Sequence, residues 1–190
     1  MKNYWVLSFL ALAFYNVVHL CASQSTPNVD EPKDIWLSDG KQLSTSFSKA
    51  NKGFGAQLHL INDESFFKNW EKPNPPAIKD IDKIQRGQKM WAIILFSGLG
   101  YDEKGAYDLT YDFYLIDPVG KERLLFKDVI GAKGEKGTPD NKIHLGASPL
   151  YLTFDQENVL GTYSIRVVVR DNVKKLNLDL LRKIDLEGKQ

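Results

Sequence analysis

Tyr107-Asp108-Leu109-Thr110-Tyr111-Asp112-Phe113-Tyr114-Leu115, followed closely by Asp117-Pro118-Val119-Gly120, is the stretch that decides the fold. On an extended chain Tyr107, Leu109, Tyr111, Phe113 and Leu115 share one face, while Asp108, Thr110, Asp112 and Tyr114 share the other. That period of two belongs to a strand with one buried side. Proline presets φ for the turn that follows, and glycine relieves its exit. Glu122 to Phe126 then returns, so the segment reads as a β-hairpin.

The same periodicity recurs on both sides of the hairpin. Phe54, Ala56, Leu58 and Leu60 alternate with Gly55, Gln57 and His59; Tyr163, Ile165, Val167 and Val169 alternate with Ser164, Arg166, Val168 and Arg170. Met90 to Phe96 is a nearly continuous apolar run, the pattern of a strand covered on both faces. A weak strand falls around Ile78 to Ile84, and short ones at Ile143 to Leu145 and Leu150 to Phe154. One short helix is expected: Asp63 can accept from free N–H groups of a first turn, Phe66, Phe67 and Trp70 follow at helical spacing, and Pro73, Pro75 and Pro76 end it. After the Asp171-Asn172 turn, Leu176, Leu178, Leu180, Ile184 and Leu186 fit a strand, and Val173, Leu176, Leu180 and Ile184 fit a helix. The tight turn favours the strand. About eight short strands with little helix define an all-β chain of two antiparallel sheets packed face to face, with a barrel as the alternative.

Outside this pattern lies the N-terminus. Lys2, the apolar run from Trp5 to Phe14, and the small residues Cys21, Ala22 and Ser23 form a secretory signal peptide over 1–23. A membrane anchor needs about 20 apolar residues, whereas Asn16 and His19 interrupt this run and Gln24, Ser25 and Thr26 follow it. A lipid-modified Cys21 is a third reading, opposed by Leu20 where a small residue is wanted. The expected organisation is therefore a signal peptide over 1–23, a flexible N-terminal extension over 24–52 in which Trp36 docks on the domain, and a β-sandwich over 53–190. Cleavage removes the only cysteine, so the mature chain folds without a disulfide. It also removes Lys2 from 25 basic residues, leaving 24 against 24 acidic ones. Without a basic excess, nucleic acid and anionic membrane are excluded as expected partners. No membrane span is expected after cleavage.

In Leu160-Gly161-Thr162-Tyr163-Ser164-Ile165, a tyrosine opens a late strand two residues before a core position. In immunoglobulin-type sandwiches the hydroxyl of such a tyrosine ties down the preceding corner; Val159 occupies the position four residues earlier, where an aspartate is often found. Phe54-Gly55-Ala56, Phe67 with Trp70, Arg86-Gly87, the Asp117-Pro118-Val119-Gly120 turn, Gly161 with Tyr163, and Arg170-Asp171-Asn172 span most of the chain beyond residue 53. With these pieces the sequence resembles uncharacterised exported bacterial proteins with an immunoglobulin-like β-sandwich fold. The resemblance implies an immunoglobulin-like antiparallel β-sandwich with one short helix, and carries no activity.

Motifs of catalysis are wanting. The mature chain has two histidines, His59 and His144, and Gly146-Ala147-Ser148-Pro149 ends in proline where a nucleophile elbow needs glycine. A histidine on the polar face of a strand is expected to be solvated. In Gly131-Ala132-Lys133-Gly134-Glu135-Lys136-Gly137-Thr138, threonine follows the last glycine where a phosphate-binding loop needs lysine. Residues 127–141 read instead as a mobile, solvated connection. No catalytic residue, cofactor or metal is expected; weak calcium binding is considered only near Asp102 and Glu103, with Asp108 as a further donor.

The expected function is that of an exported, periplasmic or secreted, non-enzymatic module binding a protein or cell-envelope component. Its candidate binding residues are Tyr101 and Tyr114, the tyrosines expected outside, with Lys133 and Lys136 on the loops 97–105 and 127–141. The alternative is a carbohydrate-active enzyme using two carboxylates about 5–10 Å apart; a structural subunit of a surface assembly is a third reading.

Overall fold

Every residue from Met90 to Phe96 is buried, because this strand has protein on both faces. Met90, Ala92, Ile94 and Phe96 enter the main core, while Trp91 and Ile93 pack with Ile61 and Phe66 beneath the short helix. The computed structural model describes residues 37–38, 41–42, 44–139 and 142–188. The expected signal peptide and residues 24–36, with Trp36, lie outside the described residues.

In chain order the elements are β1 (Leu37–Ser38), β2 (Lys41–Gln42), β3 (Ser48–Asn51), β4 (Phe54–Ile61), α1 (Ser65–Trp70), β5 (Lys83–Gln85), β6 (Lys89–Ser97), β7 (Tyr107–Ile116), β8 (Glu122–Gly134), β9 (His144–Leu145), β10 (Leu150–Thr153), β11 (Gly161–Asp171) and β12 (Leu176–Glu187). β1 and β2 pair with each other. One sheet runs β10-β6-β4-β3, with β9 also on β6; the other runs β5-β12-β11-β7-β8. The pairs within both sheets are antiparallel except β5 with β12. β4, β6 and β10 stand where strands A, B and E of an immunoglobulin sandwich stand, and β8, β7, β11 and β12 where C′, C, F and G do. The chain is an immunoglobulin-like antiparallel β-sandwich.

Alternation fixes the faces. Leu109, Tyr111, Phe113 and Leu115 of β7 meet Val167 and Leu180 of neighbouring strands and Leu58 and Ile94 of the facing sheet. A slip of one residue would turn this set to solvent, so the register is strongly specified. The corner before β11 is tied as the sequence implied: the Tyr163 hydroxyl donates to the Val159 carbonyl at 3.0 Å. A main-chain oxygen accepts there. The ambiguous C-terminal segment is a strand, paired along β11 from Leu176 to Leu186. Asp171 accepts from the N–H groups of Val173 and Lys174 and so shapes the tight turn that feeds it.

Two expectations need correction. The sandwich does not begin at residue 53: β3 pairs with β4, and Phe47 packs on the core, so residues 46–52 belong to the sheet edge rather than to a flexible extension. Nor does the hairpin strand end at Phe126. β8 continues to Gly134, and Lys133 is a strand residue paired with Asp108.

Candidate binding surface

The glycines that made 127–141 look like a loop are seats for tyrosine rings. A Cβ placed on Gly131 would lie 2.1 Å from Tyr111 Cζ, one on Gly134 2.5 Å from the Tyr107 hydroxyl, and one on Gly137 2.5 Å from Tyr101 Cε1. The pairing jumps from Leu109–Ala132 to Thr110–Ile130, leaving Gly131 in a bulge. Beyond β8 the Gly137 N–H donates to the Gly105 carbonyl at 2.9 Å. These contacts hold the chain as far as Thr138 against the 97–105 loop, contrary to the expected mobile connection.

At this end Tyr101, Tyr107, Phe96, Leu99, Lys133 and His144 line a cleft of about 390 Å³. The Tyr101 and Tyr107 rings meet edge to face at 5.5 Å. Lys133 stands on the wall with its ammonium 3.3 Å from Asp108. Lys136 is exposed in the adjoining turn, in left-handed backbone at φ 61°. Thus Tyr101, Lys133 and Lys136 come together at one end of the sandwich.

Tyr114 does not join them. It lies half-buried on the outer face of β7, outside the core as expected, with the Arg166 guanidinium 5.1 Å from its ring. Arg166 is itself held by Asp179 and Glu122. Beside it Asp112 is buried although it sits on the polar face. Its carboxylate accepts from Arg170 and from the Asp128 N–H at 2.8 Å. The Arg170 hydrogen bond outweighs the effect of burial and lowers the pKa of Asp112 to about 2.

A flank that sequence reasoning missed runs between the free edges of β8 and β10. Phe113, Phe126, Val129, Pro149, Leu150 and Tyr151 line an apolar groove of about 390 Å³ there. A neighbouring cleft of similar size holds Phe67 and Trp70 of α1 with His144, Gly146 and Pro149. The segment 143–151 separates these hollows from the tyrosine cleft and borders all three. Of eight large apolar side chains exposed among the described residues, three line these hollows: Phe126, Ile143 and Tyr151; Leu124 and Ile130 stand on β8 opposite Tyr114 and Thr110 of the outer face. The signal was present in β8, whose apolar residues do not alternate cleanly. The register shifts along β8 leave both Phe126, opposite Phe113, and Ile130, opposite Thr110, exposed.

His59 is not solvated as expected. It is buried between Asp80 at 2.9 Å and Gln57 at 3.1 Å. The acids considered for calcium do not converge: Asp102 accepts from the N–H groups of Lys104 and Ala106 in its own turn, and Asp108 is engaged by Asn172 and Lys133. Among the described residues no group of three His, Cys, Asp or Glu could hold a metal ion. A cleft of about 260 Å³ contains Asp117 and Glu157, but the Asp117 carboxylate is occupied by the N–H groups of Val119 and Lys121. No helix among the described residues is long and apolar enough to cross a membrane.

No family model matches the chain, and no curated protein does. Among solved structures, the chain is similar to a family 123 glycoside hydrolase from Clostridium perfringens, at 8% identity and a TM-score of 0.36 over 72% of this chain. The chain spans 28% of that hydrolase. It is also similar to an immunoglobulin-like protein from Pseudomonas aeruginosa, at 16% identity and a TM-score of 0.32, over 70% of this chain and 91% of the other. Likenesses at this level bear on neither site nor activity.

Proposed function

We propose that the chain is an exported, non-enzymatic β-sandwich module that binds a protein or cell-envelope component along the flank around residues 143–151. The concentration of exposed apolar side chains beside concave, aromatic-lined surface carries this reading, because such patches on a folded domain mark interaction sites. Tyr101 and Lys133 line the tyrosine cleft on the other side of 143–151, and Lys136 is exposed in the turn after β8. The periplasm or the extracellular space is the proposed location, resting on the N-terminal sequence pattern. No cofactor is assigned.

Affinity capture of the mature protein from its own cell envelope, followed by mass spectrometry, tests the placement. Phe126→Ser and Tyr151→Ser should each deplete the captured partner while leaving the fold intact. Undiminished capture by the double variant would move the binding surface elsewhere. The paired-carboxylate reading has little to support it: Asp117, Asp112 and Asp80 are engaged with backbone N–H groups, arginines or His59.

A further inference from the structure

The edge of the sandwich away from the open flank is closed by residues 71–82, a strap without regular structure between α1 and β5. Beyond Leu58, where β3 no longer pairs, the strap takes over as partner of β4: Ile81 N–H donates to the Leu60 carbonyl at 2.8 Å, and Leu60 N–H donates to the Asp80 carboxylate at 3.0 Å. The other Asp80 oxygen meets His59 Nδ1 at 2.9 Å and Arg182 at 3.1 Å. The Arg182 guanidinium lies over the Phe47 ring at 4.5 Å. One side chain of the strap therefore collects a backbone N–H, an imidazole and a guanidinium.

We propose that this cluster is a proton-sensitive clasp, in which protonation of His59 tightens the strap against β4. Both ring nitrogens face oxygen acceptors, Asp80 on one side and the Gln57 carboxamide oxygen on the other. Only the imidazolium donates from both nitrogens. Loss of a proton leaves one lone pair facing Gln57, and a carboxamide flip can answer it. The Gln57 amide, which now donates to the Ser48 hydroxyl at 3.2 Å, then donates to the ring, and Ser48 donates to the carboxamide oxygen. Hydrogen bonding survives on that side. What changes is the Asp80 side, where an ion pair becomes a hydrogen bond from a neutral imidazole to the ionised carboxylate, with the Coulomb attraction between the two side chains lost.

The charged groups that meet His59 are Asp80 of the strap and, through it, Arg182 of β12. β3 brings the neutral Ser48, and β6 brings the apolar Ile93 opposite in the ladder. Burial alone would raise the pKa of Asp80, but the hydrogen bond and charge of His59, with the charge of Arg182, hold it below the ordinary carboxylate value. Asp80 therefore stays ionised while histidine titrates, and imidazole is the side chain whose ordinary charge change falls between about pH 5 and 8.

Nuclear magnetic resonance on the folded mature domain tests the clasp between pH 5 and 8. The His59 ring resonances and the Leu60 amide resonance should titrate with one midpoint. Exchange protection of that amide, corrected for intrinsic rate, should fall several-fold as the ring loses its proton. Gln57→Glu, which places a carboxylate at the second acceptor, should move the shared midpoint upward. A ring that does not titrate in this range, a Leu60 amide blind to it, or the same dependence in His59→Gln would each overturn the proposal.

Discussion

The two long edges of the sandwich are closed by different means. On the β3–β12 side, main-chain hydrogen bonds cross between sheets and strap: Leu181 N–H to Ser46, Ile81 N–H to Leu60 and Asp185 N–H to Asp82. An inward Arg182 is neutralised there by Asp80. On the β8–β10 side, 144–147 forms the crossing, with Gly146 N–H bonded to Ile94 of one sheet and Ala147 N–H to Gly131 of the other. Beyond it the edges diverge around apolar side chains. The first edge engages Asp80, His59 and several main-chain N–H groups internally, although one buried Arg182 nitrogen has no hydrogen-bond partner, whereas the second leaves apolar surface in water.

The crossing is where the open flank can be broken outright. A Cβ on Gly146 would fall 1.9 Å from the Tyr111 hydroxyl and 3.3 Å from the Ile94 carbonyl oxygen. Tyr111 is itself fully buried and cannot retreat. Gly146→Val is therefore expected to cost about 3 kcal/mol or more, seen as a lowered midpoint in urea unfolding. A wild-type midpoint would mean that the crossing does not hold the sheets.

On the closed edge the corresponding lesion is Asp80→Ala. It leaves Arg182 and His59 without their anion and the Leu60 N–H without its acceptor, and removal of one partner from a largely buried ion pair costs about 3 kcal/mol. Chemical denaturation at pH 7 should show this loss. The companion variant Arg182→Met, which keeps the bulk over Phe47, should lose less.

Between the two edges, the outer face of β7 carries a smaller polar debt. Asp112 has its folded pKa depressed from 3.8 to about 2, so its contribution is full above about pH 4 and is lost as pH falls through about 2. The size is about 2 kcal/mol. Asp112→Asn should be less stable at pH 7 by that order and should show a flatter loss of stability between pH 4 and 2. Parallel acid profiles for wild type and variant would remove Asp112 from the account.

What was legible in the sequence follows the same division. Strands whose two faces differ, such as β7 and β11, declare themselves through alternation, and Tyr163 announces its corner. β8 was cut short because its glycines serve tyrosine rings from other segments, and a glycine needed for close approach looks the same in sequence as one needed for a turn. Of the candidate residues, Tyr101, Lys133 and Lys136 are neighbours because the end of β8 and the turn beyond it meet the loop before β7. Tyr114 lies on the outer face as its alternation implies, but its neighbour Arg166, from a strand some fifty residues on, was not legible. The closed edge was illegible for a like reason: Asp80 has meaning only through His59 and Arg182, which the fold alone brings to it.

The smallest expected effect is the one that best separates the edges. Phe126 is 56% exposed and lies at the rim of the flank groove, so replacing it removes little buried area. Phe126→Ser should change stability by less than about 0.5 kcal/mol, as surface substitutions do. An apolar residue kept exposed for folding reasons would instead weaken the domain when removed. If the flank is an interface, stability stays and partner binding falls, since a buried aromatic anchor contributes disproportionately to an interface. A clear loss of stability with binding untouched would assign Phe126 to the core and leave the open edge without a function.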